Sequence, residues 1–228
     1  VQEVCVDTYA HNHPETPRKR IILGDIKTEI VERLDELLKD ERVDIVVGGP
    51  PCQGFSMANR QRLIDDPRNK LYKYFVETVN KVQPPFFVME NVKGMMSVKN
   101  QVIEDFAAIG YQTEAHILNA KNFGVPQNRE RLIYIGNRVG ENNEEIFQKI
   151  DKLSEKIPDT FLKDALFGLR ELKALRKKNS TDIDSDESGR KIDHDYIQKQ
   201  NDYIAYINQG YKYPAVLNHK ARYNNDRD

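Results

Sequence analysis

The sequence predicts an α/β fold, a mostly parallel sheet with helices packed on both faces. Three observations carry that expectation. Strand-like and helix-like segments alternate from Val1 to Asn137. A run of β-branched apolar residues, Val43-Asp44-Ile45-Val46-Val47, stops abruptly at Gly48-Gly49-Pro50-Pro51. The side chains with the most chemistry, Asp25, Cys52 and Glu90, each fall at or just after the end of a predicted strand, the rim on which ligands collect in such folds.

Taken in order, Val1–Val6 reads as a strand and Ile21–Leu23 as a second. A helix is expected over Thr28–Leu38, with Ile30, Val31, Leu34, Leu37 and Leu38 on one face and Thr28 placed to cap it. The run ending at Val47 reads as a buried strand. A helix over Lys70–Val82, a strand over Phe86–Met89, a helix over Val98–Ile109 and strands over Gln112–Leu118 and Leu132–Ile135 complete the alternation. Past Asn137 the texture changes. Glu144–Lys156 is a charged amphipathic helix, Thr160–Leu169 a second helical candidate, and Lys177–Asp195 a polar, loop-like stretch. The expected division is an α/β core over residues 1–140 and a helical or linker region over 141–228.

A chain of 228 residues can bury a real core. No run approaches the ~20 apolar residues that cross a bilayer, and no secretory leader is visible, so a cytoplasmic protein without a membrane partner is expected. Two cysteines, Cys5 and Cys52, make no disulfide framework. His11, His13, His116, His194 and His219 lack zinc-ligand spacing, and no metal is expected. The net charge of −1 does not advertise a polyanion partner, although Arg60, Arg62, Arg68, Lys70 and Lys73 after Cys52 would suit a phosphate-tracking edge.

Cys52 is the candidate nucleophile. Two glycines allow a sharp turn, two prolines stiffen the path into the thiol, and the sulfur is thereby held in one direction. A free thiol with pKa ~8.5 is only a few per cent thiolate at neutral pH, yet it is intrinsically nucleophilic enough for positioning to suffice.

Pro50-Pro51-Cys52-Gln53-Gly54-Phe55-Ser56 resembles the catalytic motif of the cytosine-C5 DNA methyltransferases. Gly24-Asp25-Ile26, Asn69-Lys70-Leu71-Tyr72, Glu90-Asn91-Val92 and Gln127-Asn128-Arg129-Glu130-Arg131 are similar to further motifs of that family, in the family's order, over residues 1–136. The resemblance implies a Rossmann-like, S-adenosylmethionine-dependent methyltransferase fold lacking its first strand and Gly-rich loop, followed by a region leading towards an absent target-recognition domain. It implies methyl transfer to carbon 5 of cytosine in duplex DNA, with base flipping and a covalent bond from Cys52 to carbon 6. Glu90 would then hydrogen-bond or protonate N3, Arg131 would contact the base or orient Glu90, and Arg129 would brace the loop or a phosphate; a structural ion pair, with Glu130 as a nearby candidate, is the alternative for each arginine. Asp25, Ile26, Pro50 and Leu71 would contact S-adenosylmethionine. The ribose-binding acid would be Asp7 or Glu3. As an isolated chain the protein is expected to bind cofactor weakly and not to turn over, so a second polypeptide supplying the missing motifs is a candidate partner. The same chemistry on transfer RNA, or a catalytically silent nucleic-acid-binding module, are the alternatives.

Overall fold

The structure, a computed structural model, describes residues 2–39, 41–51, 70–174, 183–209 and 212–221. Two compact units divide the chain, one formed by 1–122 with 129–157 and the other by 123–128 with 158–228.

The first unit is built on a four-stranded sheet of β1 (Ile45–Gly48), β2 (Phe86–Val92), β3 (Gln112–Asn119) and β4 (Glu130–Asn137), in the order β1-β2-β4-β3. β1 and β2 are parallel, whereas β4 runs antiparallel to both β2 and β3. The sheet is therefore mixed rather than mostly parallel. Apolar alternation reports that a segment is a strand, not which way its neighbour runs, and the short connection between β3 and β4 permits an antiparallel pair.

Alternation sorts the side chains cleanly. Phe87, Met89, Ala115, Leu132 and Tyr134 share one face and form a buried cluster with Tyr72, Phe75 and Val79 of α3 (Lys70–Val82) and Val102 and Phe106 of α4 (Lys99–Ala107). Phe87 is its centre, stacked on Phe106 at 4.0 Å between ring centroids and edge-on to Phe75 and Tyr111. α5 (Asn143–Ser154) lies against the opposite face, where Phe147 stacks on His116 at 4.0 Å. Helices thus cover both faces, as expected. Buried Asn137 holds α5 in place: its Nδ2 donates to the Glu141 carbonyl and to Asn143 Oδ1, and Asn143 Nδ2 donates to the Gln112 carbonyl. Asn142 caps the helix by accepting from the Glu144 and Glu145 amides.

Four local expectations are corrected. Val1–Val6 contributes to a helix, α1 (Glu3–Asn12), because a short apolar run beside polar residues fits either period. Ile21–Leu23 is not a strand. The helix expected over Thr28–Leu38 is a π-helical turn, Lys27–Val31, followed by the short α2 (Leu34–Leu38), and it is Asp25 rather than Thr28 that caps it, Oδ1 accepting from the Lys27 amide at 2.8 Å. β1 was expected to be buried, but it is the sheet edge among the described residues, with Ile45 51% and Val47 67% exposed.

In the second unit, α6 (Leu162–Ala165) and α7 (Asp202–Ile207) accompany a two-stranded sheet of β5 (Gly189–Asp193) and β6 (Val216–Lys220). β5 lies inside the stretch expected to be a polar loop. Asp193 is 3% exposed, and its charge is met by Arg170, whose own side chain is only partly buried.

Two predictions follow from the core. Gly136 lies opposite Phe87 across the ladder, and a Cβ there would strike the Phe87 ring. Gly136→Ala should destabilise the first unit by about 1–3 kcal/mol, and Phe87→Leu in the same chain should recover part of that loss, a non-additivity read by denaturant unfolding. Tyr111 is buried and its hydroxyl donates to the Pro84 carbonyl at 2.6 Å. Tyr111→Phe leaves that carbonyl unpaired and should cost about 1–3 kcal/mol in the same assay.

Candidate active site

At the C-terminal end of β2, adjacent side chains point to opposite faces of the sheet. Glu90 leaves on the face away from the aromatic core, and Asn91 turns into the protein at 3% exposure. Arg131, at the start of β4, shares Glu90's face and places Nε 2.7 Å from Oε1. The contact is close but poorly aligned for a hydrogen bond, so it acts as an ion pair. A second hold on Arg131 comes from Nη1, which donates to the Glu130 carbonyl at 2.8 Å. Glu90 is 43% exposed at its side chain, so the pair adds little stability. Its effect is directional: one carboxylate oxygen is engaged by a guanidinium whose own path is restrained.

The other oxygen faces the loop that leaves β1. Glu90 Oε2 lies 3.1 Å from where a Cβ on Gly49 would stand, so this approach leaves no room for a larger residue to settle without movement. On the other side, Asn91 Nδ2 donates to the Pro50 carbonyl at 3.0 Å, while Oδ1 accepts from the Val92 amide at 2.9 Å. Glu90 and Asn91 together therefore flank Gly49-Pro50, two residues before Cys52. Cys52 itself, with Arg60, Arg62 and Arg68, lies outside the described residues.

A cleft of about 520 Å³ opens beside this loop, lined by Gly24, Asp25, Ile26, Ile30, residues 46–51, Leu71, Phe75 and Thr78. Asp25, Ile26, Pro50 and Leu71, separated widely in sequence, meet in it. Gly48 permits the close approach of Phe75, whose ring a Cβ at Gly48 would meet at 2.5 Å. Apolar walls from Ile26, Leu71 and Phe75 with one carboxylate acceptor suit a flat ring bearing an amino group, and the volume is that of a small-molecule site. Asp25 reaches the cleft from the start of the π-helical turn, not from a strand end.

Other sequence-predicted residues stand elsewhere. Asp7 is on α1, exposed, 3.9 Å from Arg18. No strand ends beside Asp7 among the described residues, and Glu3 opens the same helix. Arg129 is exposed, and its backbone is tied to Asn119, whose Oδ1 accepts from the Arg129 amide at 3.1 Å. Glu130 pairs with Lys93 at 2.9 Å instead of with Arg129. In the second unit, and outside the set of expected site residues, Asn218 and His219 of β6 help to line a groove of about 400 Å³; desolvation, then the charge of Arg170, lowers the His219 pKa. Sequence spacing also missed the grouping of Glu114, His116 and Glu144, where His116 Nε2 sits 2.9 Å from Glu144 Oε2. Their approach comes from α5 docking on β3, which no local spacing reports. In the sequence Asn91 stands out only as the middle of Glu90-Asn91-Val92. Its sole local signal is an amide beside an acid at the end of an apolar strand.

Comparison with known proteins finds Type II methyltransferases among the relatives of this chain. The chain is 41% identical over 141 residues to the Type II methyltransferase M1.HphI of Haemophilus parahaemolyticus, an overlap of 59% of this chain and 37% of that protein. It is 37% identical over 185 residues to the Type II methyltransferase M.FnuDI of Fusobacterium nucleatum, covering 78% of this chain and 50% of that one. The chain thus spans half or less of the length of these relatives. A crystal structure of a prophage-encoded DNA modification methyltransferase from E. coli superposes with a TM-score of 0.61 at 28% identity, covering 89% of this chain and 54% of the other. The S. pombe Dnmt2 methyltransferase, at 17% identity and a TM-score of 0.53 over 75% of this chain and 50% of its own, shares the fold. The family profile for C-5 cytosine-specific DNA methylases matches residues 1–227, and the chain belongs to that family.

Proposed function

We propose that this chain carries the chemical centre of an enzyme that methylates carbon 5 of cytosine in duplex DNA, using S-adenosylmethionine. The observation that carries the reading is the convergence at Gly49-Pro50: the Glu90–Arg131 pair on one side, the Asp25-Ile26-Leu71 cleft on the other, and Cys52 two residues further on.

Carbon 5 of cytosine is a weak nucleophile while the ring is aromatic. The Cys52 thiolate adds to carbon 6, and its electron pair moves through the ring towards N3, leaving carbon 5 enamine-like. Glu90 hydrogen-bonds or protonates N3 as that charge develops. Arg131 holds the carboxylate by one oxygen, so the other remains directed at the loop and at the base edge. Bound in the cleft, S-adenosylmethionine would supply an electrophilic methyl group. Asp25 would accept from the adenine amino group, with Ile26, Leu71 and Pro50 packing around the ring. Loss of the carbon-5 proton and departure of the Cys52 sulfur restore aromaticity. A cytosine must leave the base stack for these groups to reach it, at a cost of a few kcal/mol that pocket and backbone contacts offset. The catalytic and cofactor chemistry belongs to residues 1–140 in this reading, and 141–228 leads towards target recognition. Arg129 is retained as a candidate phosphate contact, since it is exposed and lies two residues before Arg131 in the sequence. Neither Asp7 nor Glu3 is carried forward as the ribose ligand.

The test uses the complete enzyme containing this chain and duplex DNA with 5-fluorocytosine, whose fluorine blocks the final elimination. A denaturation-resistant protein–DNA adduct should form only with the methyl donor present and vanish in Cys52→Ser. Glu90→Gln should slow adduct formation by roughly 10²–10⁴-fold. An adduct that survives Cys52→Ser, or methyl incorporation into RNA in place of DNA, would overturn the proposal.

A further inference from the structure

We infer that Asn91 is a positioning residue for the reaction proposed above, its side-chain amide clamping the Pro50 carbonyl so that the segment entering Cys52 keeps a fixed relation to Glu90. The inference rests on that functional reading.

The need for such a clamp follows from the backbone. The parallel ladder between β1 and β2 ends at Gly48 opposite Met89. Beyond it the chain is Gly49-Pro50-Pro51, and two successive prolines offer no N–H by which a loop could be tied down. Carbonyls are the backbone hydrogen-bonding groups left at those two positions, and Asn91 Nδ2 donates to that of Pro50 at 3.0 Å across 41 residues of sequence. The bond is buried, where competition from water is weak and an unpaired amide is costly.

The chemistry of the side chain is matched to the place. Asn91 must donate to Pro50 and also accept from the Val92 amide, which its Oδ1 does at 2.9 Å. An amide offers both roles, whereas a carboxylate of the same shape offers only acceptors. Glu90 and Asn91 are adjacent on a paired strand, so the backbone that carries the carboxylate against Gly49 also carries the clamp on Pro50. Any shift of Pro50 away from Asn91 therefore alters the placement of Gly49-Pro50-Pro51, the path into Cys52, against Glu90. A misplacement near 1 Å can cost on the order of 10²-fold in rate.

Asn91→Asp removes the donor and keeps the acceptor for Val92. Asn143→Ala, which deletes another buried amide that bonds the Gln112 carbonyl, is the control for general loss of stability. In a Cys5→Ser background, which removes the exposed second thiol, Cys52 alkylation by iodoacetamide is followed by intact mass up to high pH. The limiting rate on the thiolate plateau separates loop freedom from any change in thiol acidity. Asn91→Asp should raise that limiting rate roughly threefold or more, through local opening that Asn143→Ala does not produce. In the complete enzyme it should lower kcat about 10²-fold with little change in KM for S-adenosylmethionine. An alkylation plateau equal to wild type, or a fall in kcat matched by Asn143→Ala at equal stability, would overturn the inference. Alkylation needs neither DNA nor methyl donor, so a wild-type enzyme that forms no 5-fluorocytosine adduct strikes the proposed function, and an unchanged plateau strikes the role of Asn91.

Discussion

The parallel pairing of β1 with β2 is the constraint on which the candidate site depends. Its register sets Gly48, the last residue of β1, opposite Met89, so the loop leaving β1 runs beside Glu90 and Asn91, which β2 still holds in the sheet through its pairing with β4. Glu90 and Asn91 then meet Gly49 and Pro50 without any long side chain having to reach across the sheet. That register is held from below by the aromatic cluster around Phe87, which packs against both helices on one face. A close-packed centre of this kind resists sliding by even one residue, because a slip would turn every buried side chain of β2 to the other face.

The electrostatic arrangement at the strand ends is modest in energy and specific in direction. Glu90 and Arg131 are partly exposed, so their attraction is screened and contributes little to folding. What the pair does is select one orientation for a carboxylate that would otherwise rotate. Arg131 can do this because β4 runs antiparallel to β2, which sets Arg131 across from Val92 and close to Glu90 on the same face. In the cleft Asp25 serves the fold and faces the ligand space together, one oxygen capping the π-helical turn that shapes the wall.

Several features of this site were readable in the sequence. Glycine and proline announced the loop after Val47, the apolar run before Glu90 announced a strand end, and the helix over Lys70–Val82 showed its 3.6-residue period plainly. Where patterns were short the reading failed. Val1–Val6 has too few residues to distinguish one period from the other, and the helical turn after Asp25 hides a π-type step that composition does not signal. The same segment carries Asp7, which lies on an exposed helix near Arg18 and not beside a strand end. Strand direction was equally illegible, because a run of alternating apolar residues looks the same read towards either neighbour.

By itself the sequence determined which residue types could do the chemistry and, between Lys70 and Ser154 where the periodic runs are long, which segments are strands and helices, because those depend on side-chain identity and local period. Tertiary structure decided that Asp25, Ile26, Pro50 and Leu71 line one cleft and that Arg131 rather than Arg129 pairs with Glu90. It decided too that Asn91 reaches across 41 residues to Pro50. These are contacts between distant parts of the chain, set by register and helix docking, and no local pattern encodes a distance of that kind.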